Sequence, residues 1–524
     1  MTVTNSSLNS FMERKMFDKF LDIFARHYQR NRKVYNSIVF SFLLHGFVML
    51  LLCLRVWDFS LKNETENFVN IEIGFSQEPQ SKQPESIEEN SPKEQPELPW
   101  SPMPSEMQKT AENPKPFSDL EKLREDLIHL QENEMPTSDS LSSEKEKSQD
   151  LDKKEQEIEK QLLQREKIRS FLLSEGMESK KIQESRGQNR KQLLREGGGG
   201  KNTENAVYAG LDWLYRHQSP NGSWDADNFM SCCKDSPCSG AGLDWADPAT
   251  TGLALLAFLG SGYTNKEGKY KEAISRGLEY LISIQQENGC YGKAYPQHMY
   301  NHSIATFAIC EGYMMCHDIK FRKSAIKGVL YILEGQNPGM AWRYTPLCRD
   351  NDTSVTGWCL LALKAAMSAE IQVPLKSIES SKVWLDQVTM KGEEPWVGYT
   401  SPDKNYTMTA VGTICRIFFH TSRDTPVILG SGKLLYNNPP AWSSQNDYYY
   451  WYYGTLAMYQ LGKSYWNTWN QNLIKTLILH QEKTGCLKGS WGQGRFSGGR
   501  VYWTSMAILC LEVYYRYPRI FKSH

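Results

Sequence analysis

Asp247, His302, Asp352, Tyr406, Tyr448 and Arg500 each stand at or near the start of an apolar stretch in the second half of the chain. Trp342, Arg343, Tyr344 and Trp491 stand in short turns ahead of such stretches. A carboxylate and an imidazole brought into one pocket could run acid/base chemistry, which makes Asp352 and His302 the candidate catalytic pair. Asp247, Trp342, Arg343, Tyr344, Tyr406, Tyr448, Trp491 and Arg500 form the candidate ligand-binding set. Aromatic walls suit a carbocation or a sugar face, so a hydrophobic ligand and a glycan are both compatible with them. Asp352 also has a structural alternative, because an Asp in front of TSVTGWCLLALKAA is the residue type that caps a helix. Cys232, Cys233 and Cys238 share one loop with no second cysteine pair or histidine at conventional ligand spacing. They are candidates for a disulfide, and no metal or cofactor is expected. Cys310, Cys359, Cys415 and Cys510 fall in apolar stretches and read as small buried residues.

These residues converge only if the stretches carrying them converge, and a repeat supplies the means. A unit of about 50 residues, long enough for two helices and their loops, recurs six times after residue 197. In its clearest copy, AVYAGLDWLYRHQSPNGSW at 206–224 is followed by PATTGLALLAFLG at 248–260. Later second helices are expected at 301–313, 352–366, 406–419, 447–462 and 500–517. First helices run into Gln218, Gln285 with Gln286, Gln336 and Gln481, whereas the fourth unit lacks the Gln and the fifth is degenerate. Six such hairpins fit an all-α (α/α)6 toroid, with small residues letting the inner helices approach closely. In the turns, Gln would bond orphan helix carbonyls, Gly would supply positive φ and Trp would cover the gap.

The Q-x-x-x-G-x-W pattern resembles the QW repeats of the squalene and oxidosqualene cyclase and protein prenyltransferase superfamily, over 206–524. LALLAFLGSGYTNKEGKYKE, DTSVTGWCLLALKA, YYYWYYGTLAMYQLG and LEVYYRYP resemble, more narrowly, a planctomycete-type bacterial group of prenyltransferase/squalene-oxidase-repeat proteins. The resemblance implies a terpenoid cyclase-like toroid with a central cavity. Each chemistry it brings lacks a residue. The cyclase Asp-x-Asp-Asp-Thr acid corresponds to Asp350, Asn351, Asp352 and Thr353, with the amide of Asn351 where the proton donor belongs. The prenyltransferase Asp-x-Cys zinc pair is absent from the repeats, and GCYGK at 289–293 lacks the Glu-Gln of a thioester toroid. The expected function is therefore binding of a ligand or partner in the central cavity without superfamily catalysis. A terpenoid cyclase-like or polysaccharide-cleaving enzyme is the alternative, and an envelope interaction protein is the third reading. A deep apolar cavity with one buried acid would favour a terpenoid, an open Arg- and Tyr-lined groove a glycan, and a filled centre an interaction surface.

The first 200 residues differ in kind. The 60 basic and 60 acidic residues of the whole chain cancel, which gives no electrostatic basis for a nucleic-acid partner. Residues 34–57 contain an apolar run near the minimum for a membrane helix, and flanking basic residues place 1–33 in the cytoplasm. The expected location is a single-pass anchor in the inner membrane with the toroid exported to the periplasm. A Pro/Glu-rich disordered linker at 58–117 and a charged helical spacer or weak coiled coil at 118–196 follow, then the toroid at 197–524. Ser41 and His45 share one face of the anchor. SFLLHG there resembles the anchor of TonB-like transducers, which implies an ExbB/ExbD-type motor as partner. In an exported compartment the thiols at 232–238 would be expected to pair.

Overall fold

The computed structural model describes residues 179–521 apart from 235, 496 and 497. The expected anchor with Ser41 and His45, the linker at 58–117 and the spacer as far as 178 lie outside the described residues. No described helix is long and apolar enough to cross a membrane.

A short helix α1 (Arg190–Glu196) precedes six helix pairs. The first three are α2 (Lys201–Arg216) with α3 (Asp247–Gly260), α4 (Lys271–Ser283) with α5 (His298–Cys316), and α6 (Ile319–Glu334) with α7 (Thr353–Ser368). The others are α8 (Leu375–Gln387) with α9 (Tyr406–Phe418), α10 (Pro426–Tyr436) with α11 (Tyr448–Leu461), and α12 (Lys463–Leu479) with α13 (Gly499–Leu511). A last turn, α14 (Val513–Arg516), follows. The second helix of each pair packs on the second helix of the next, and α13 returns to α3, so these six close an inner ring. α12 meets α2 in the outer layer. The molecule is the expected (α/α)6 toroid.

Sequence explains the two layers. α4 buries Ala273, Ile274, Gly277, Leu278 and Leu281, a single stripe at helical spacing, and turns its charged residues outward. α11 is buried on every side because it packs on ring neighbours as well as on the outer layer. Small residues set the approach: a Cβ added at Gly252 of α3 would stand 3.0 Å from the Ile304 carbonyl of α5.

The repeated turn residues act between units. The Gln285 side-chain amide donates to Gly289 O (3.0 Å) in its own turn and to Ser324 O (3.0 Å) in the next outer helix, α6. Gln218 does the same to Gly222 O and Ala273 O, and Gln336 to Met340 O and Ser377 O. Gln481 closes the series by reaching Gly489 O and, in the first outer helix, Ala206 O (2.8 Å). The carbonyls served belong to the turn and to the neighbouring helix, so each Gln rivets one hairpin to the next rather than capping its own helix. Gly289 (φ 92°) and Gly489 (φ 98°) hold the left-handed region where an added Cβ would strike Lys327 O and Ala209 O of that neighbouring helix. Trp224, Trp342 and Trp491 are buried, their indole N–H groups donating to Leu214 O (2.7 Å), Ile332 O (2.7 Å) and Leu477 O (2.8 Å). Trp342 and Trp491 are thus wedges in the wall, which corrects their expected place in the ligand set.

At the C-terminal ends of the inner helices lies a buried ionic cluster. Glu311 accepts from Arg186 at 2.9 Å and from Arg516 at 3.1 Å, and the Tyr517 hydroxyl donates to it at 2.8 Å. Arg516 also pairs with Glu512 at 2.9 Å. Burial pushes Glu311 toward protonation, but the two guanidiniums prevail and hold it below the usual carboxylate range. Arg186 precedes residue 197, and Ile182 and Leu194 are buried with it. Gly197 does not break the spacer away from the toroid, since its carbonyl accepts from Trp466 Nε1 at 2.7 Å. The compact unit therefore includes the described part of the expected spacer.

Candidate ligand groove

The inner-helix starts share one face of the ring, and the candidate residues have different fates there. His302 lies one turn inside α5 and is fully buried. Its Nδ1 accepts from the Tyr291 N–H (3.2 Å) and its Nε2 is 2.9 Å from Gly328 O, so both nitrogens are committed to backbone. Burial pushes its pKa down to about 3. This neutral wall residue corrects the expected catalytic pairing.

Asp352 is the N-cap of α7, its Oδ1 accepting from Val355 N–H at 2.7 Å, and it is 0% exposed. Burial pushes its carboxyl up to about 7 against the opposing pull of the Val355 amide and Arg343. Arg343 Nε lies 3.8 Å from Asp352 Oδ2 and its Nη1 3.8 Å from Asp350, with the guanidinium over the Tyr344 ring. Tyr344 is buried and its hydroxyl meets that of Tyr399 at 2.7 Å. Asn351 Oδ1 accepts from Ala341 N–H and Asn337 Nδ2, each at 3.0 Å, which makes it a turn-building amide. Tyr406 is 38% exposed, its ring edge-on to Trp396 at 4.8 Å on the rim.

The centre of the ring holds side chains where a cavity was expected. α7 and α11 are separated in the ring by α9, yet the Ser354 and Tyr449 hydroxyls meet at 2.8 Å and Trp358 stacks on Tyr452 at 5.8 Å. Tyr300, Trp358, Tyr449, Tyr453 and Tyr502 are 0% exposed. Tyr448 is also buried, its hydroxyl donating to Gly492 O at 2.9 Å.

Among the described residues a groove lies off-centre, between the last hairpin and the first. This groove of about 780 Å³ is lined by Ser239, Gly240, Trp442, Leu479, His480, Gln481, Glu482, Lys483, Thr484, Leu487, Gly492, Gln493, Arg500 and Trp503. Its size is in the range of small-molecule sites. Trp442 and His480 stack face to face at 4.0 Å and 2°, a flat aromatic ledge. Tyr448 meets Trp442 edge-on at 6.4 Å. Arg500 is fixed by Ser239 O (2.6 Å) and Ser490 Oγ (3.0 Å), with Glu482 at 3.6 Å. Burial lowers its pKa below the usual guanidinium range while Glu482 pulls the other way. Of the expected binding set, Arg500 reaches this groove; Trp442, His480, Glu482, Lys483 and Trp503 went unnoticed in the sequence. Trp503 lies in the expected last inner helix, α13, whereas Trp442, His480, Glu482 and Lys483 sit at helix ends and in loops with no periodic signal, although AWSS after Pro440 and HQEKTG after Leu479 mark such loops.

Beyond the loop that carries Gly240, the Asp247 Oδ1 accepts from Ala226 N–H at 2.8 Å, with carboxylate oxygens of Asp225 and Asp227 within 4.8 Å. Burial, with repulsion from Asp225 and Asp227, pushes Asp247 up to about 7. Cys232, Cys233 and Cys238 are free thiols, which corrects the expected disulfide. Cys233 and Cys238 instead gather with Cys486 around His217, four groups of metal-ligating type where no metal was expected.

The class the geometry defines is an all-α toroid whose centre is crossed by buried aromatic side chains, with a groove on its rim. Within it, the family model described as Pectic acid lyase matches residues 246–315, from just before α3 into the last turn of α5. No curated protein matches the chain. Among solved structures, the alpha-1,6-mannanase of Salegentibacter sp. is similar at 10% identity and a TM-score of 0.45, covering 60% of this chain and 99% of that one. An alpha-amylase from Clostridium perfringens gives 12% and 0.42, covering 59% and 97%. A type II terpene cyclase from Scytonema gives 11% and 0.41, covering 60% and 97%.

Proposed function

We propose that the toroid is a glycan-binding module that takes an anionic polysaccharide segment in the rim groove. One observation carries this reading: a rigid aromatic ledge, Trp442 on His480, faces a groove that also holds Arg500 and Lys483. Sugar faces present C–H groups that pack on aromatic rings, and carboxylate-bearing sugars add charge that Arg binds in fixed geometry. The aromatic side chains across the ring's centre weigh against a terpenoid, which would need a deep apolar cavity. Asn351 in place of a donor acid weighs against cyclase chemistry. The family model over 246–315 suggests polygalacturonate as the first ligand to try. The anchor, the export of the toroid and the motor contact remain part of this reading on sequence grounds, through residues 34–57, Ser41 and His45.

The test is a crystal structure of the chain with a short oligogalacturonide. The ligand is expected along the Trp442–His480 ledge with a carboxylate toward Arg500 or Lys483. A ligand bound over Asp225, Asp227 and Asp247 instead, or no ligand at saturating concentration, would overturn the proposal.

A further inference from the structure

We propose that His217, Cys233, Cys238 and Cys486 form a tetrahedral zinc site that clasps the first and last hairpins of the ring. The inference stands apart from the glycan reading, because such a clasp would serve a toroid with any ligand.

His217 Nε2 lies 3.5 Å from Cys233 Sγ, 3.4 Å from Cys238 Sγ and 3.3 Å from Cys486 Sγ. All four ligand atoms fall within 4.8 Å of one another. Zinc bonds of about 2.3 Å to sulfur and about 2.0–2.1 Å to nitrogen, at tetrahedral angles, place sulfur and nitrogen about 3.5 Å apart. Hydrogen bonding does not account for the arrangement, since one imidazole nitrogen offers one lone pair and cannot accept from three thiols together.

The surroundings fit a ligand. His217 Nδ1 lies 2.8 Å from Trp213 O, which fixes the tautomer that leaves Nε2 bare, the orientation metal-bound histidines take. Trp213 stacks on the imidazole at 4.2 Å and Phe229 meets it edge-on at 5.9 Å, so the ring is held in place. Cys238 N–H donates to Cys233 Sγ at 3.3 Å, which fixes that sulfur in place. Zinc with three thiolates carries one net negative charge, and Arg216 and Arg500 are the cations that act on His217. Three sulfurs and one nitrogen are a zinc set by softness and geometry, and four protein ligands leave no open position for catalysis.

The clasp joins segments far apart in sequence. His217 ends α2, Cys233 and Cys238 lie in the loop after the first turn, and Cys486 follows α12, 269 residues from His217. The same two loops carry Ser239, Gly240, Glu482 and Lys483 of the groove wall, so the metal would fix the groove's shape as it closes the ring.

Metal analysis of the full chain purified without chelator, cobalt substitution read by absorbance, and peptide mapping without reduction together test this. About one zinc per chain is expected, and cobalt in its place should give the visible bands and thiolate charge transfer of a tetrahedral site. Both should vanish in Cys486→Ser and persist in Cys232→Ser, whose thiol lies against Gln218 O at 3.5 Å. Should Cys486→Ser fail to fold, the cobalt spectrum of the unsubstituted chain still decides. A chain with neither zinc nor a cobalt–thiolate band, a Cys233–Cys238 disulfide in the unreduced map, or loss of metal in Cys232→Ser would overturn the proposal.

Discussion

Burial holds the Asp352 carboxyl at about 7 when its ordinary value is 3.8. The folded chain therefore binds that proton more tightly than the unfolded chain, and the stabilisation, complete below about 4, is lost as pH rises toward about 7. Asn caps a helix as well as Asp does, so Asp352→Asn should keep the bond to Val355 N–H and remove the titration. The melting temperature of the variant relative to the natural chain is expected to rise between pH 4 and pH 8. Parallel pH profiles would show that Asp352 is already ionised in the fold. At this scale sequence was a partial guide. The capping role of Asp352 was legible because an Asp before an apolar helix has that local function. The fate of His302 was not, because its partners, Tyr291 N–H and Gly328 O, belong to another turn and another helix. The same limit hid His217 and Cys486, which meet only through ring closure.

The turn glutamine is an element-scale device, tying each outer helix to its successor. Gln285→Ala would leave Gly289 O without its side-chain donor and remove the Gln285 bonds to Ser324 O and Ser324 Oγ, both of which keep the Tyr291 hydroxyl. A loss of about 1–3 kcal/mol is expected in urea unfolding. Gln286→Ala, next in sequence but exposed, should stay within about 0.5 kcal/mol. Equal effects of the two would remove the rivet account. Sequence marked the Gln–Gly–Trp turn and its spacing, since a repeat shows wherever its interface recurs. It did not show which of Gln285 and Gln286 does the joining, nor that the carbonyls served lie in the neighbouring hairpin. In the degenerate fifth unit Tyr448, expected to bind ligand, is instead packed with its neighbours through Tyr453, because a helical run of large residues must face every direction.

For the whole toroid, closure depends on contacts that bring the first and last described segments together. One is the buried cluster of Arg186, Glu311, Glu512 and Arg516. Glu311→Gln would leave two buried guanidiniums short of a counter-charge, and a loss of about 3–5 kcal/mol in urea unfolding is expected. A smaller effect than about 1 kcal/mol would mean that water reaches the cluster. The six-hairpin ring was legible because apolar stretches alternate with amphipathic ones at fixed spacing. The position of the rim groove was not, since it depends on how the loops after α10 and α12 meet the loop before α3. The central claim is that this rim groove binds an anionic glycan. Calorimetric titration of an oligogalacturonide into the full chain and its Trp442→Ala variant tests it most directly. Binding that weakens with added salt and falls about tenfold or more in the variant is predicted. No heat of binding, or equal affinity in the two proteins, would contradict it.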